Sequence, residues 1–333
     1  MGYNILRFKQ TKKDNSEAEW GVQKGETITP FAADVTELKH LLTAENLQAA
    51  QAIAAQGADD GQISLSDVEI LSPITRPTRL LAMGLNFADH REETGNTQES
   101  GETLFFRKDD SSITSATGDI HWPGGSKLLD YEVEMGIVLK NAITQPTTVT
   151  AATIGDYVAG VVLANDVSPR DLQSGGPFGQ WYKGKSYRTL CPLGPYLHIF
   201  EEGEATKLHD MQLKLWVNDE LRQDAHTQSM ITKPEEALSL ASEFVDLEPG
   251  DVLLSGTPGG VALRIPDKDA QADAQFTPSF VSTEEGMELF IQYALQSGKF
   301  LKPGDLIRCS LKSADGSIDC GEQVNRVVRE RQI

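Results

Sequence analysis

Two stretches of the chain place oxygen-bearing side chains at spacings that suit a hard cation. LLDYEVEMGIVL (128–139) carries acids at 130, 132 and 134, separated by Tyr131 and Val133. On one continuous strand alternate side chains share a face, which sets Asp130, Glu132 and Glu134 side by side with roughly 6.5 Å between successive members. An isolated E-x-E is more often the solvated edge of an amphipathic strand. Here the strand runs on through Ile137, Val138 and Leu139 and so enters the core, where three like charges are costly without a cation. A second apolar run, YVAGVVLAN, ends at Asp166, an acid at the mouth of a core strand and well placed to add an oxygen ligand. Carboxylates in this number suit Mg²⁺, which prefers octahedral oxygen coordination and keeps positions for water or substrate. Histidine spacing does not suggest a zinc-like site.

A third stretch, GQWYKGKS (179–186), satisfies G-x-x-x-x-G-K-[ST], the pattern of a phosphate-binding P-loop. Such a loop needs a buried strand before it and a helix after it, so that backbone N–H groups converge on phosphate. DLQSGGPF precedes it and is no buried strand, while Pro192 and Pro195 follow and stop a helix. The match is read as accidental, and Lys185 needs another partner.

The elements that must position these residues are mostly strands. Short apolar runs punctuated by Gly, Pro and Asp (RLLAMGLN, MQLKLWVN, GDVLLSG, GDLIRCSL) outnumber helical patterns, which concentrate near 233–245 and 284–296. They do not alternate with helices as a doubly wound sheet requires, so the expected class is α+β and sheet-rich. Residues 1–75 read as a small N-terminal α/β domain with strands near YNILRF and AEWGVQ and one helix from about Val35 to Ala55. SPITRPTR (72–79) reads as the linker to a body spanning 76–333. The polar, Ala/Asp-rich IPDKDAQADAQFTPS lies inside an insertion of about 263–298. LEPGDVLLSG and LKPGDLIRCS share turn chemistry, a Pro-Gly-Asp turn that launches a strand, and not a domain repeat.

Composition narrows the function classes. A formal net charge of −19 opposes binding to nucleic acid or anionic membranes. Three cysteines without a C-x-x-C pair indicate neither a disulfide framework nor a zinc site. With no apolar leader and no apolar run of membrane-spanning length, the expected location is cytoplasmic.

Five blocks taken together resemble the fumarylacetoacetate hydrolase family: LLAMGLNFADHREE (80–93), LLDYEVEMGIVL (128–139), GVVLANDVSPRDLQ (160–173), YKGKSYRTLCPLGP (182–195), and LWVNDELRQDAHTQSMI (215–231) leading into LEPGDVLLSGTPGGVA (247–262). The resemblance implies the family's mixed β-roll or sandwich body and a homodimer. It implies metal ligation by Glu132, Glu134 and Asp166, with Asp130 orienting ligands or backbone, and Mg²⁺ or Mn²⁺ as the ion. It places a catalytic His-x-x-Glu dyad at His90 and Glu93, a catalytic lysine at Lys185, and substrate contacts at Arg170, Gln173 and Thr257. Pro169, where many members carry Ala, departs from the pattern, as do the long 263–298 stretch and the large N-terminal unit.

The implied activity is hydrolysis of a C–C bond in a 3-acylpyruvate through a metal-bound enolate. His90 takes a proton from water, Glu93 orients the imidazole, and Lys185 offsets the excess negative charge. Decarboxylation, isomerisation or dehydration of a related 2-oxo acid is the alternative. More remote readings are a non-catalytic protein holding a structural Ca²⁺ and a P-loop nucleotide hydrolase.

Overall fold

The structure is a computed structural model that describes residues 2–13, 17–32, 34–56, 61–93, 102–176, 178–264, 281 and 283–329. Its centre is the strand Val133–Leu139, buried along its whole length and paired antiparallel with Val158–Asn165 on one side and with Val252–Leu254 on the other. Val158–Asn165 is likewise buried throughout, as its β-branched composition favours for a strand covered on both faces. The two faces pack into different clusters. Val133, Met135, Ile137 and Leu139 join the larger core, while Val138, Val162 and Ala164 join a second one with Leu80, Ala82 and Cys191. Glu134 shares the Val138 face by strand alternation, and Asp166 continues the face of Val162 and Ala164.

Further strands extend this sheet to 12 members. Leu80–Gly84 runs parallel to Val252–Leu254, and Leu104–Lys108 closes that edge. In the other direction Cys191–Ile199 pairs with Val158–Asn165 and then with Tyr3–Gln10, so the strands of the first 71 residues are hydrogen-bonded into the same sheet. A separate five-stranded sheet, ordered Glu220–His226, Met211–Val217, Leu306–Ser313, Asp319–Arg329 and Ile120–Trp122, supplies the other side of the larger core. The class is α+β and sheet-dominated. No helix among the described residues is long and apolar enough to cross a membrane.

Two local expectations are revised, and a third lies partly outside the described residues. The helix expected over 35–55 is two, Leu38–Leu41 and Ala44–Gln56. The break falls at Thr43, whose hydroxyl accepts the Asn46 N–H and starts a new helix, the task of an N-terminal cap. The acidic strand is also interrupted: Leu129–Asp130 pairs with Ser168–Pro169, and Val133 begins the next strand. Of the expected insertion, residues 265–280 and 282 lie outside the described residues. Its later part forms the helix Glu284–Leu295, started by Thr283, whose hydroxyl accepts the Gly286 N–H.

Candidate metal centre

Glu132, Glu134 and Asp166 come together at one end of the large sheet. All three are buried, and their ligand oxygens lie within 4.8 Å of one another. The interruption of the acidic strand creates this cluster. The Glu132 N–H is taken by Asn165 Oδ1 at 3.0 Å, the Val133 N–H by Gln223 Oε1 at 2.9 Å, and the Glu132 carbonyl by the Asp166 N–H at 2.8 Å. Two side chains and one backbone N–H thus satisfy backbone that leaves the regular ladder, and the three carboxylates converge.

Asp130 is therefore not in line with Glu132 and Glu134. Its carboxylate accepts the N–H groups of Tyr131, Ala262 and Leu263, which ties the acidic segment to the loop after Val252–Leu254. Arg170 links it to the cluster. Arg170 Nη2 sits 2.9 Å from Asp130 Oδ2 and 2.6 Å from Glu132 Oε1.

Lys185 has its partner here. Its ammonium lies 2.7 Å from Glu132 Oε2 and 2.8 Å from Asp166 Oδ2, and 5.1 Å from the centre of the Phe106 ring. Close packing puts it there. Gly184 ends the turn Trp181–Gly184, and a Cβ on it would stand 2.6 Å from the Cα of Gln173, so only glycine lets this turn press against the helix Arg170–Ser174. The glycine-lysine pair of the P-loop-like pattern thus serves carboxylates.

The third cation, Lys108, was not picked out from sequence. It is fully buried and lies 2.5 Å from Asp166 Oδ1. Phe106 and Lys108 are two apart on an edge strand and so share a face. That alternation was the available signal, but LFFRKDD reads equally well as a solvated edge.

Burial alone would raise the Glu132 carboxyl, yet Arg170 and Lys185 outweigh it and hold Glu132 well below the usual range. Glu134 moves the other way: burial first, then Asp166 and Glu132 beside it, raise it well above the ordinary 4.5. Its hydrogen bond comes from the Gly256 N–H, at 2.9 Å. Gly256 has φ of +79° and its Cβ would meet Asn86 Cβ at 2.9 Å, so a side chain is excluded on both counts. Four carboxylates (Asp130, Glu132, Glu134, Asp166) face Lys108, Lys185 and Arg170, so one negative charge is unbalanced whenever Glu134 is ionised. A divalent cation fits this arrangement. It would take the three converging carboxylates as oxygen ligands and relieve the repulsion that falls on Glu134.

The remaining expected residues surround the cluster. His90 and Glu93 lie on the short helix Ala88–Glu93, anchored by Asn86, whose side chain exchanges hydrogen bonds with Thr232 and donates to the Ser255 carbonyl. His90 is buried. Its Nδ1 stands 3.8 Å from Glu93 Oε2, too far for a hydrogen bond. Gln173 Oε1 is 3.4 Å from Arg170 Nη1. The Thr257 hydroxyl donates to the Val133 carbonyl and accepts from Gln223 Nε2, so it ties the site loop to the acidic strand.

The profile of the fumarylacetoacetate (FAA) hydrolase C-terminal region matches residues 79–328, which include every residue of this centre. The chain belongs to the fumarylacetoacetate hydrolase family. Among curated relatives, the mitochondrial oxaloacetate tautomerase Fahd2a of Rattus norvegicus is 38 % identical over 201 residues, 60 % of this chain and 62 % of that protein. The match therefore spans less than two thirds of that relative's own length. Among solved structures, a probable 2-hydroxyhepta-2,4-diene-1,7-dioate isomerase from Mycobacterium abscessus superposes with a TM-score of 0.70 at 26 % identity, over 100 % of both chains. A maleylpyruvate hydrolase from Sphingobium sp. SYK-6, solved with manganese(II) and pyruvate, shares the fold with a TM-score of 0.67 at 22 % identity, covering 98 % of this chain and 100 % of that one. The family thus spans tautomerases, isomerases and hydrolases.

Proposed function

We propose that the chain is a divalent-metal-dependent enzyme that moves a proton beside the keto group of a small 2-oxo acid. The observation that carries this reading is the buried triad Glu132, Glu134 and Asp166, three converging carboxylates which, with Asp130 beside them, outnumber the two lysines and one arginine that face them. A divalent cation, Mg²⁺ or Mn²⁺, would supply Lewis acidity there, polarising a keto oxygen and making the neighbouring C–H more acidic. The chain's own residues do the rest. Lys185 holds Glu132 and Asp166 in place and, with Arg170, offsets the charge that an incoming carboxylate adds. His90 is the base that takes the proton, and Glu93, three residues on with its Oε2 3.8 Å from Nδ1, would fix the tautomer on closing to hydrogen-bond distance.

Keto–enol tautomerisation or isomerisation is the first reading, because it needs only the proton movement these residues supply and because the rat relative carries that activity in its name. Hydrolysis of a 3-acylpyruvate is the second. It asks His90 to take a proton from water, and the hydrolase activity for which the matching family is named favours it.

The test is turnover of oxaloacetate (keto–enol exchange), acetylpyruvate, fumarylpyruvate and a 2-keto-3-deoxy sugar acid, in EDTA and after adding Mg²⁺ or Mn²⁺. Metal-restored enol exchange without C–C cleavage supports the first reading, and metal-restored cleavage the second. No metal-dependent turnover of any of the four, by protein that is folded and metal-loaded, overturns both.

A further inference from the structure

Arg264 stands at the outer edge of the His90–Glu93 pair. Its Nη1 lies 2.5 Å from Glu93 Oε2, the oxygen nearest to His90 Nδ1. The other claim on Glu93 is the Gly260 N–H, bifurcated to Oε1 at 2.9 Å and Oε2 at 3.1 Å. His90 Nδ1, buried, is left without a hydrogen-bond partner. Exposure rises outward from His90 (7 %) through Glu93 (19 %) to Arg264 (36 %), so a carboxylate arriving from solvent meets the guanidinium first.

A buried imidazole Nδ1–H with no acceptor is costly, and the carboxylate that would accept it is ion-paired with Arg264, whose Nη1 likewise makes no hydrogen bond. We infer that Arg264 is a positioning residue that recognises a second carboxylate on the substrate, releasing Glu93 to accept the His90 Nδ1–H when that carboxylate binds. A guanidinium pairs with one carboxylate about as well as with another, so the exchange costs little on the arginine side and gains the histidine a hydrogen bond. Once Nδ1 donates to Glu93, Nε2 is left as the free base. The site then favours dicarboxylic over monocarboxylic 2-oxo acids, and this inference rests on the 2-oxo-acid reading given above.

The test is the Arg264→Gln variant, beside Arg264→Lys, with oxaloacetate and acetylpyruvate as probes. Arg264→Gln is expected to raise KM for oxaloacetate tenfold or more while acetylpyruvate stays within about twofold, and Arg264→Lys to recover part of the loss. Imidazole ¹⁵N signals of histidine-labelled protein, with His90 assigned through His90→Ala, give a readout independent of turnover. Nδ1–H of His90 should show its hydrogen-bonded signal in Arg264→Gln without ligand, and in the parent protein only after oxaloacetate is added. Equal KM changes for both acids, or a His90 signal unmoved by the substitution, would overturn the role. If neither acid is turned over by any form, the enolising reading fails, while the His90 signal still decides whether Arg264 holds Glu93 away.

Discussion

Lys108 Nζ lies 2.5 Å from Asp166 Oδ1, and neither side chain reaches solvent. Asp166 is thus held by Lys108 on one oxygen and by Lys185 on the other, before any metal is considered. Removing one partner of a buried ion pair leaves an uncompensated charge, which costs about 3–5 kcal/mol. Lys108→Met is therefore expected to lose stability of that order in urea unfolding performed in EDTA. Mn²⁺ should shrink the difference from the parent, because the variant presents one more uncompensated negative charge and binds the cation more tightly, about 1.4 kcal/mol for each tenfold gain in affinity. An equal loss with and without metal would mean that Lys108 supports the fold and not the charge of this site.

Glu134 sets the pH response of the metal-free protein. Its carboxyl is raised above 4.5 by burial and by Asp166 and Glu132, so the folded state favours the protonated form. Below 4.5 the group is protonated in both folded and unfolded chains and nothing is lost. As pH rises above 4.5 toward the raised folded value, the unfolded chain ionises more readily and stability falls. Glu132, held low, acts in the other window: its contribution is present above 4.5 and is lost as pH falls below it. In EDTA, unfolding midpoints should therefore decline as pH climbs above 4.5. Saturating Mn²⁺ should flatten the decline, and Glu134→Gln should remove both the decline and the metal response.

Much of this centre was legible in the sequence because strand alternation is strict. Glu132 and Glu134 two apart, and Asp166 at the end of an uninterrupted apolar run, follow from period-two geometry and the run's length. The break at Tyr131–Glu132 was not legible, because the groups that satisfy the freed N–H bonds, Asn165 and Gln223, come from elsewhere in the chain. Lys108 and Arg264 were missed for a related reason. A lysine or arginine beside a turn is usually solvated, and only three-dimensional packing decides that one of them is sealed against an aspartate. The helix break at Thr43 was written in T-A-E-N, where a capping hydroxyl precedes a fresh helix, but the apolar spacing on both sides of it is continuous enough to hide the cap.

Gln223 reaches from the five-stranded sheet into the site. Its Oε1 accepts from the Val133 N–H, and its Nε2 donates to Thr257 Oγ1 and to the Pro258 carbonyl. Gln223→Leu keeps the volume but leaves these buried groups without partners, at about 1–3 kcal/mol for each one left unsatisfied. The loss should appear as a lowered unfolding midpoint together with weaker Mn²⁺ binding in calorimetry, since Val133 and Thr257 hold the segments that carry Glu134 and Gly256. A lowered midpoint with unchanged Mn²⁺ affinity would show that the carboxylates hold their geometry without this brace.

His90 separates the proton-transfer step from metal binding. It is buried, and its Nδ1 makes no hydrogen bond to any of the three clustered carboxylates. His90→Ala should leave Mn²⁺ affinity within about twofold, because no ligand is removed. A positioned general base contributes about 10²–10⁴-fold, so kcat should fall by that factor. Deuterium exchange at C3 of oxaloacetate or acetylpyruvate tells the two readings apart. Where His90 removes the carbon-bound proton, exchange and turnover fall together. Where it activates water for C–C cleavage, cleavage fails while metal-dependent exchange persists. Full turnover in His90→Ala would transfer the base to another group.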